Sequence, residues 1–192
     1  DASDKDHPVY LKADGNTTTS KSEAISATKT FTADEKNMQN FTKQANSLAN
    51  GSVALSFPVK SSLVSGKTTV VFEDLYHNNV KISTHSDISD ENQSVHYPDV
   101  KTSAIDKDTK DDVGTVHKNA VIVDTVQLTN LVPGKNYTVN GTLHDQKSGD
   151  IFKDANGNAV TQKAEITVSA DGKNITAKNG EKTSVTAYDA QN

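Results

Sequence analysis

The sequence contains no cysteine, no tryptophan and no arginine, and it has a single methionine. The absence of cysteine excludes disulfide bonds and thiolate metal ligands, so any covalent stabilisation of the fold must use other side chains. Because arginine is absent, all 20 basic residues are lysines, and the formal net charge is -5. Nucleic-acid binding needs a clustered basic face, so this composition argues against nucleic acid as a partner.

Long apolar runs are also absent. Hydrophobic residues make up 33% of the chain and the mean hydropathy is -0.64, which is low but sufficient for thin β-sandwich cores. No stretch has the length that a membrane-spanning helix needs, and neither a signal peptide nor a sorting tail is visible. We therefore expect no membrane segment in this sequence.

Alternating and β-branched residues, separated by turns rich in Gly, Asn and Asp, predict a mainly β structure. The predicted fold class is all-β, with Ig-like antiparallel β-sandwich modules. Residues 35–49 differ, because apolar residues recur there at helical spacing after a candidate cap at Thr32 or Asp34, and we expect one short inserted helix. The predicted strands are 28–32, 52–59, 68–73, 120–128, 137–143, 164–169 and 183–188.

The most informative stretch is 70–98, which contains a glutamate, a histidine, an aspartate and a glutamine at the end of a β-rich unit. Residues 70–76 are predicted to form a half-buried strand and 80–83 its hairpin partner, so Glu73 and His85 should face each other across neighbouring strands. A carboxylate bound to one imidazole nitrogen fixes the ring tautomer, and the other nitrogen can then take a proton from a hydroxyl. The pattern therefore predicts an oriented base.

Several motifs follow one another in the order that one known family has them: residues 71–76, the spacing of His85, Asp90 and Gln93, and the segments 93–98, 121–126, 130–137 and 140–145. In these motifs the chain resembles the Thr–Gln ester-bond domains that occur in tandem in Gram-positive surface adhesins. In that family a threonine on the first strand attacks the side-chain amide of a glutamine on the last strand, which leaves an intramolecular ester. The resemblance implies an extracellular, cell-wall-anchored surface protein.

The resemblance also implies roles for single residues. Gln93 would be the ester acceptor and His85 the proton shuttle, with Glu73 orienting the imidazole and Asp90 close to the amide. In the second half of the chain, Thr102 would be the ester nucleophile. Its acidic neighbour would be Asp124, and the alternatives to Thr102 are Ser103, Thr109 and Thr125.

The chemistry of ester formation explains why these residue types are needed. A threonine hydroxyl is a poor nucleophile and a carboxamide a poor electrophile, so a base must take the hydroxyl proton while an acid assists the amide as ammonia leaves. Burial raises the effective concentration of hydroxyl against amide and protects the product from hydrolysis. Each bond forms once per molecule, so we expect maturation of a structural protein and not an enzyme.

A weak internal repeat predicts the domain organisation. Residues 13–16 and 31–34 correspond to 155–158 and 168–171, which implies a repeat of roughly 140 residues, an ordinary domain size. We therefore expect residues 1–99 to be the later part of one repeat and 100–192 the earlier part of the next, joined by an acidic linker at 101–112.

This organisation has two consequences for the ester bond. Thr102 and Gln93 belong to different repeats and are separated by a short segment, so no ester is expected between them within one chain. Neighbouring repeats are the expected partners, and head-to-tail complementation between chains is a further hypothesis, because an unpaired strand edge is a template for another chain.

No cofactor or metal is expected. The six histidines lack metal-ligand spacing. Residues 154–158 with Glu165 resemble a calcium loop, but Ala159 stands where glycine is needed, so a type I′ hairpin turn is the preferred interpretation.

The predicted function is that of a stalk module which holds a binding tip away from the cell wall under load. An alternative is a ligand-binding adhesin domain for mucin or a matrix glycoprotein, against which the aromatic content of 5% counts mildly. A third hypothesis is a hydrolase that uses His85 and Glu73, but no Gly-x-Ser-x-Gly or comparable nucleophile motif is present.

Overall fold

The computed structural model describes residues 9–116, 120–180 and 182–187. The protein is all-β, as predicted, with 43% of residues in strands and several antiparallel sheets of the kind that build β-sandwich modules. It divides into two compact units, Asp1–Val95 and His96–Asn192. The assignment of residues 1–99 and 100–192 to parts of two successive repeats stays a prediction. Among the described residues, no helix is long and apolar enough to cross a membrane.

The first unit is built from short strands joined by long irregular segments. They are β1 (Tyr10–Leu11), β2 (Thr17–Thr18), β3 (Gln39–Lys43), β4 (Ala49–Ser52), β5 (Thr68–Val70), β6 (Glu73–His77), β7 (Val80–His85) and β8 (Ser94–His96), within which the boundary between the units falls. Antiparallel hairpins join β1 to β2, β3 to β4 and β6 to β7, while β5 pairs with β8.

The predicted helix at 35–49 is wrong, because this segment forms the hairpin of β3 and β4. Asp34 does act as a cap: its Oδ1 accepts hydrogen bonds from the backbone N–H groups of Lys36 (3.0 Å) and Asn37 (2.9 Å). These bonds close a single turn, and the chain then reverses at Ser47, which has a φ of 66°. Turn-forming polar residues therefore override the helical spacing of the apolar ones.

Two predicted strands of the first unit are also wrong. Residues 28–32 contain no strand, and of 52–59 only Ser52 lies in one. Proline at position 58 has no N–H to donate to a ladder, and β-branched residues favour a strand only where a neighbouring strand packs beside them.

The β6–β7 hairpin forms at the predicted turn, but the predicted half-buried strand at 70–76 is wrong, because Val71 and Phe72 separate β5 from β6 and every residue of β6 is exposed. Asn78 and Asn79 form its two-residue loop with φ values of 49° and 64°, as a type I′ turn requires. The register changes between Leu75 and Tyr76, which leaves Ile82 as the extra residue of a β-bulge.

The second unit contains longer strands in two sheets. They are β9 (Asp99–Asp106), β10 (Ile122–Thr129), β11 (Asn136–Thr142), β12 (Thr161–Val168), β13 (Asn174–Asn179) and β14 (Lys182–Ala187). One sheet pairs β9 with β10, and the other has the order β11-β12-β13-β14, all antiparallel. The strands predicted in this half of the chain are confirmed with shifts of a few residues at their ends.

The core of the second unit lies between these two sheets. Leu131, Ile166 and Val168 are buried, with 4%, 5% and 1% of their surface exposed. Leu128 of β10 packs against this cluster, and so do residues of β11, β12 and β13. The backbone N–H of Val132 donates a 2.8 Å hydrogen bond to the Tyr137 hydroxyl oxygen, which fixes the turn that leads into β11.

The predicted linker at 101–112 is wrong, because it lies inside the second unit as part of β9 and the loop that follows. Asp106 organises this loop. Its Oδ1 accepts hydrogen bonds from the backbone N–H groups of Asp108 (2.8 Å) and Thr109 (3.1 Å), and its Oδ2 accepts from the backbone N–H of Thr115 (3.2 Å). An acidic sequence here therefore indicates a turn built on one buried carboxylate.

The loop at 154–158 is a tight turn, but not of the predicted type I′. Gly157 alone has a positive φ, of 84°, and Asp154 Oδ1 accepts hydrogen bonds from the backbone N–H groups of Asn156 and Asn158, both at 2.9 Å. This is a type I turn followed by a left-handed glycine. Across the described part of the chain, no three histidine or acidic side chains are grouped closely enough to hold a metal ion.

Candidate ester-forming site

Glu73 and His85 stand at the open end of the β6–β7 hairpin. Glu73 is the first residue of β6 and His85 the last residue of β7, and the two are direct cross-strand partners. The sequence-based prediction that they face each other is confirmed. Both side chains are exposed, which leaves them free to approach groups beyond the hairpin.

Gln93 is brought beside this end of the hairpin by a short 3₁₀ helix, Glu91–Gln93. Asp90 is its N-cap and accepts a 2.8 Å hydrogen bond at Oδ1 from the backbone N–H of Asn92. The carbonyl oxygen of Gln93 accepts a 3.1 Å hydrogen bond from the backbone N–H of Val71, two residues before Glu73. The backbone thus holds the glutamine against the entry to β6.

The side-chain amide of Gln93 contacts Glu73 directly, with Nε2 donating a short hydrogen bond to Glu73 Oε2. An ionised carboxylate only accepts hydrogen bonds, so it is the NH₂ end of the amide that must face Glu73. The other end, Oε1, is buried and has no hydrogen-bond partner among the described residues. A buried acceptor without a donor is unfavourable, so this oxygen marks a position where a donor is needed.

His85 is held by Asp90. The Nε2 atom of the imidazole lies 3.2 Å from Asp90 Oδ2. Asp90 is only 19% exposed at its side chain, whereas His85 is 61% exposed. A shielded carboxylate therefore contacts one nitrogen of a ring that is largely exposed.

These contacts differ from the predicted division of roles between the two acids, whose roles in bond formation stay predictions. Glu73 was expected to orient the imidazole and Asp90 to lie close to the amide, but Asp90 contacts His85 and Glu73 contacts Gln93. Cross-strand register alone does not determine side-chain pairing, because a residue that follows the strand can approach the same ring from outside the ladder.

Thr102 and Asp124 lie in the second unit on the β9–β10 pair. Thr102 is opposite Val126 and Asp124 is opposite Ala104, so both side chains project from the same face of the two strands on diagonal positions. Both residues are exposed. This placement agrees with the expectation that Asp124 is the acidic neighbour of Thr102, while its role in bond formation stays a prediction.

The alternatives to Thr102 lie in different surroundings. Ser103 and Thr125 are direct partners on the opposite face of the same strand pair. Thr109 lies in the loop after β9, and its hydroxyl donates a 2.8 Å hydrogen bond to the carbonyl oxygen of Val113. Of the four hydroxyl residues, Thr102 on β9 is the one that lies on the same face of the strand pair as Asp124 on β10.

Two further aspartates have strongly anchored charges outside this site. Hydrogen bonds from the backbone N–H groups of Thr109, then Thr115 and Asp108, lower the pKa of Asp106 from 3.8 to about 2. The Thr84 hydroxyl and then the Lys81 ammonium lower the pKa of Asp74. Asp74 and Lys81 form a 3.1 Å ion pair across the β6–β7 hairpin, which supports the strands that carry Glu73 and His85.

Comparison with known proteins identifies the family. The model of the T-Q ester bond containing domain matches the chain twice, over residues 9–97 and 98–191. Searches of curated proteins and of solved structures return no match. The two family matches together span almost the whole sequence and agree with the resemblance found in its motifs. The chain therefore belongs to the family of T-Q ester bond containing domains.

Proposed function

We propose that this chain is a stalk module of a cell-wall-anchored surface adhesin, stabilised by ester bonds that form without an added enzyme between threonine hydroxyls and glutamine amides. The observation that carries this proposal is the cluster around Gln93, whose amide nitrogen is held by Glu73, the cross-strand partner of a histidine that Asp90 contacts. A merely structural glutamine would not need an oriented imidazole next to it.

The reaction follows from the bonds that must change. The threonine Oγ attacks Gln93 Cδ, so a C–O bond forms and the C–N bond of the amide breaks. His85 takes the hydroxyl proton and passes it to the departing nitrogen, which leaves as ammonia. Glu73 already binds this nitrogen, so its carboxylate stabilises the positive charge that develops there.

The amide oxygen needs a further group. As the hydroxyl attacks, negative charge accumulates on Oε1 of Gln93, which has no donor among the described residues. We propose that the segment which delivers the threonine also delivers this donor. The Gln93 amide would then react only when the strand that carries the threonine and the donor is correctly positioned. This condition limits the reaction to folded, assembled protein.

The β6–β7 hairpin is suited to receive such a strand. It forms a two-stranded sheet in the described structure, and Tyr76, Val80 and Ile82 remain 55%, 63% and 59% exposed. An unpaired edge with apolar side chains favours addition of another strand. Strand β9 carries an exposed threonine at position 102, so we propose head-to-tail complementation, in which Thr102 of one chain reacts with Gln93 of another.

An ester between first and last strands would carry tension along covalent bonds and prevent fraying at the ends of a module. By analogy with disulfides that close long loops, it would stabilise the fold by on the order of 4–5 kcal/mol. The absence of cysteine is compatible with this use, because no disulfide can supply such a cross-link in this chain.

Covalent association on denaturing gels tests the reaction. Prolonged incubation of the wild-type chain at high concentration should give a ladder of cross-linked multimers, each new bond accompanied by loss of one ammonia in the intact mass. Thr102→Ala, His85→Ala and Gln93→Ala should abolish the ladder. Ser103→Ala and Thr125→Ala are matched controls on the opposite face of the same strands and should leave it unchanged. A monomeric wild-type band after long incubation would contradict complementation.

Single-molecule pulling tests the stalk role. Cross-linked multimers should resist extension between the two bonded residues, whereas Gln93→Ala proteins should unfold completely at the same load. Equal extension of cross-linked and uncross-linked protein would contradict a mechanical function.

A further inference from the structure

We infer that Asn179 and Gly180 form a spontaneous modification site, at which the Asn179 side chain loses ammonia to form a succinimide and is then hydrolysed to aspartate and isoaspartate. The chain contains four Asn–Gly pairs, with asparagine at positions 50, 140, 156 and 179. All four asparagines are exposed. The fold leaves one of the four pairs free to react, and this chemistry does not depend on ester formation.

The reaction joins two groups that are adjacent in the chain. Solvent hydroxide takes the Gly180 N–H proton, and the backbone nitrogen attacks Asn179 Cγ, so a C–N bond closes the succinimide ring. The C–N bond of the side-chain amide breaks, and its nitrogen takes a proton from water and leaves as ammonia. Water then opens the ring: attack at Cγ gives aspartate, whereas attack at the main-chain carbonyl carbon gives isoaspartate, whose main chain runs through Cβ. Glycine suits this reaction because no Cβ hinders the attacking nitrogen.

Gly180 has the freedom that the attack requires. It lies in the connection between β13, which ends at Asn179, and β14, which begins at Lys182. Its φ is 57°, and among the described residues a Cβ at this position would have no atom within 4 Å beyond its chain neighbours. Its backbone N–H donates no hydrogen bond to any residue that the structure describes. The nitrogen can therefore approach the Asn179 side chain without first breaking a bond to these residues.

The other three Asn–Gly pairs are restrained. The backbone N–H of Gly157 donates a 3.0 Å hydrogen bond to the carbonyl oxygen of Asp154. Residues 140 and 141 lie inside β11, where both are paired with β12. Gly51 lies inside β4, and a Cβ at this position would come within 2.8 Å of Met38 Cε. A hydrogen-bonded or crowded amide must be freed by local opening before it can attack, which lowers the fraction of molecules that can react.

Modification of Asn179 changes the end of the β13–β14 ladder. Aspartate replaces a neutral side chain with a negative one, and isoaspartate adds a main-chain methylene at the residue that pairs with Lys182. Strand β14 is at the edge of its sheet, so loss of this last pair loosens one end of one strand and leaves β11, β12 and β13 paired. Asn179 is also a source of ammonia separate from Gln93, and its reaction stays within one chain, whereas the proposed ester joins two chains.

Two variants distinguish this site from the ester-forming one. Gly180→Ala places a Cβ beside the attacking nitrogen and should slow conversion of Asn179 by about 10-fold or more. Thr102→Ala removes the proposed ester nucleophile and should leave the conversion of Asn179 at the wild-type rate. Conversion that continues unchanged in Gly180→Ala would contradict attack by this nitrogen, and conversion that stops in Thr102→Ala would assign the ammonia loss to the ester-forming site instead.

Peptide mapping of the whole native chain after incubation at mildly alkaline pH compares the four pairs within the same molecule. Aspartate and isoaspartate should accumulate at Asn179 about 5-fold or more faster than at any of the other three asparagines, because the restrained amides must first open. In the urea-denatured chain the four rates should agree within about twofold, because the restraints of the fold are gone. A native rate at Asn179 no higher than at Asn140 or Asn156, or the same excess in urea, would overturn the inference.

Discussion

Replacing Glu73 with glutamine tests whether the Glu73 carboxylate assists the departure of the Gln93 side-chain nitrogen. In the structure the carboxylate of Glu73 accepts a short hydrogen bond from Gln93 Nε2, the atom that leaves as ammonia. Glu73→Gln keeps the size of the side chain and its place opposite His85 but removes the charge. The amide would lose a partner that binds more strongly as positive charge develops, so bond formation should slow while folding is preserved.

The expected size follows from the type of bond. Hydrogen bonds to charged groups contribute about 1.5–3 kcal/mol, compared with about 1 kcal/mol for neutral pairs. Because glutamine keeps a neutral hydrogen bond, the loss is the difference between the two types, about 0.5–2 kcal/mol. Glu73 is exposed, so solvent screening favours the lower part of this range, about 1 kcal/mol. Since about 1.4 kcal/mol corresponds to a tenfold change in rate, Glu73→Gln should react about 5-fold more slowly.

The assay is the initial rate of cross-linked product by intact mass, at fixed protein concentration and pH. Glu165→Gln is the matched control, because Glu165 is also an exposed strand carboxylate, paired with Lys163 at 3.2 Å and lying in the second unit. It should react like wild type, and both variants should keep the β-sheet circular dichroism of the parent. A Glu73→Gln rate within twofold of wild type would refute the contact between Glu73 and the leaving nitrogen as a source of catalysis.

Three further predictions concern the scaffold. Because its folded pKa is lowered to about 2 from 3.8, Asp106 contributes stability that is fully present above about pH 4 and lost as the pH falls through about 2. Asp106→Asn should therefore lower the thermal midpoint at pH 7 and make the midpoint fall less steeply as the pH is lowered. An unchanged dependence of the midpoint on acid pH would contradict the anchoring role. Leu131→Ala should lower the free energy of unfolding of the second unit, measured in urea, by about 2–5 kcal/mol, because Leu131 is buried. Val185 is 64% exposed, so Val185→Ala should change this free energy by less than about 0.5 kcal/mol, and equal effects of the two variants would contradict the assigned core. Asn79→Val should cost about 1–2 kcal/mol because its φ is 64°, and Asn79→Gly should be tolerated, so equal stability of the two variants would contradict the type I′ turn.

The sequence predicts best where local rules and cross-strand pairing agree. Two asparagines between alternating apolar residues specify a type I′ turn, and that turn sets the register which places Glu73 opposite His85. Motif order, through the family resemblance, nominates Gln93 and Thr102 as the reacting residues, and that assignment stays a prediction. The predicted helix at 35–49 fails because helical spacing of a few apolar residues is weak against several consecutive turn-forming ones.

The partners of the two acids could not be read from spacing. Asp90 lies five residues after His85, outside the hairpin, and it approaches the imidazole only because the chain turns back into the 3₁₀ helix. A capping signal was available, since aspartate three residues before Gln93 is typical of an N-cap, and it would have indicated that Asp90 supports the acceptor. That Oε1 of Gln93 lacks a partner within the described part of the chain has no sequence signal, because it depends on which groups burial brings near this oxygen.

Peptide mapping by mass spectrometry of the protein isolated from its natural source is the most direct test of ester formation at Gln93. The peptide that contains Gln93 should be recovered joined to a threonine-containing peptide, with a combined mass lower by one ammonia, and fragmentation should place the link between the glutamine side-chain carbonyl and the threonine Oγ. Mild alkali should release the two peptides, because an ester hydrolyses where an amide does not. Quantitative recovery of the unlinked peptide with an intact Gln93 amide would contradict the account.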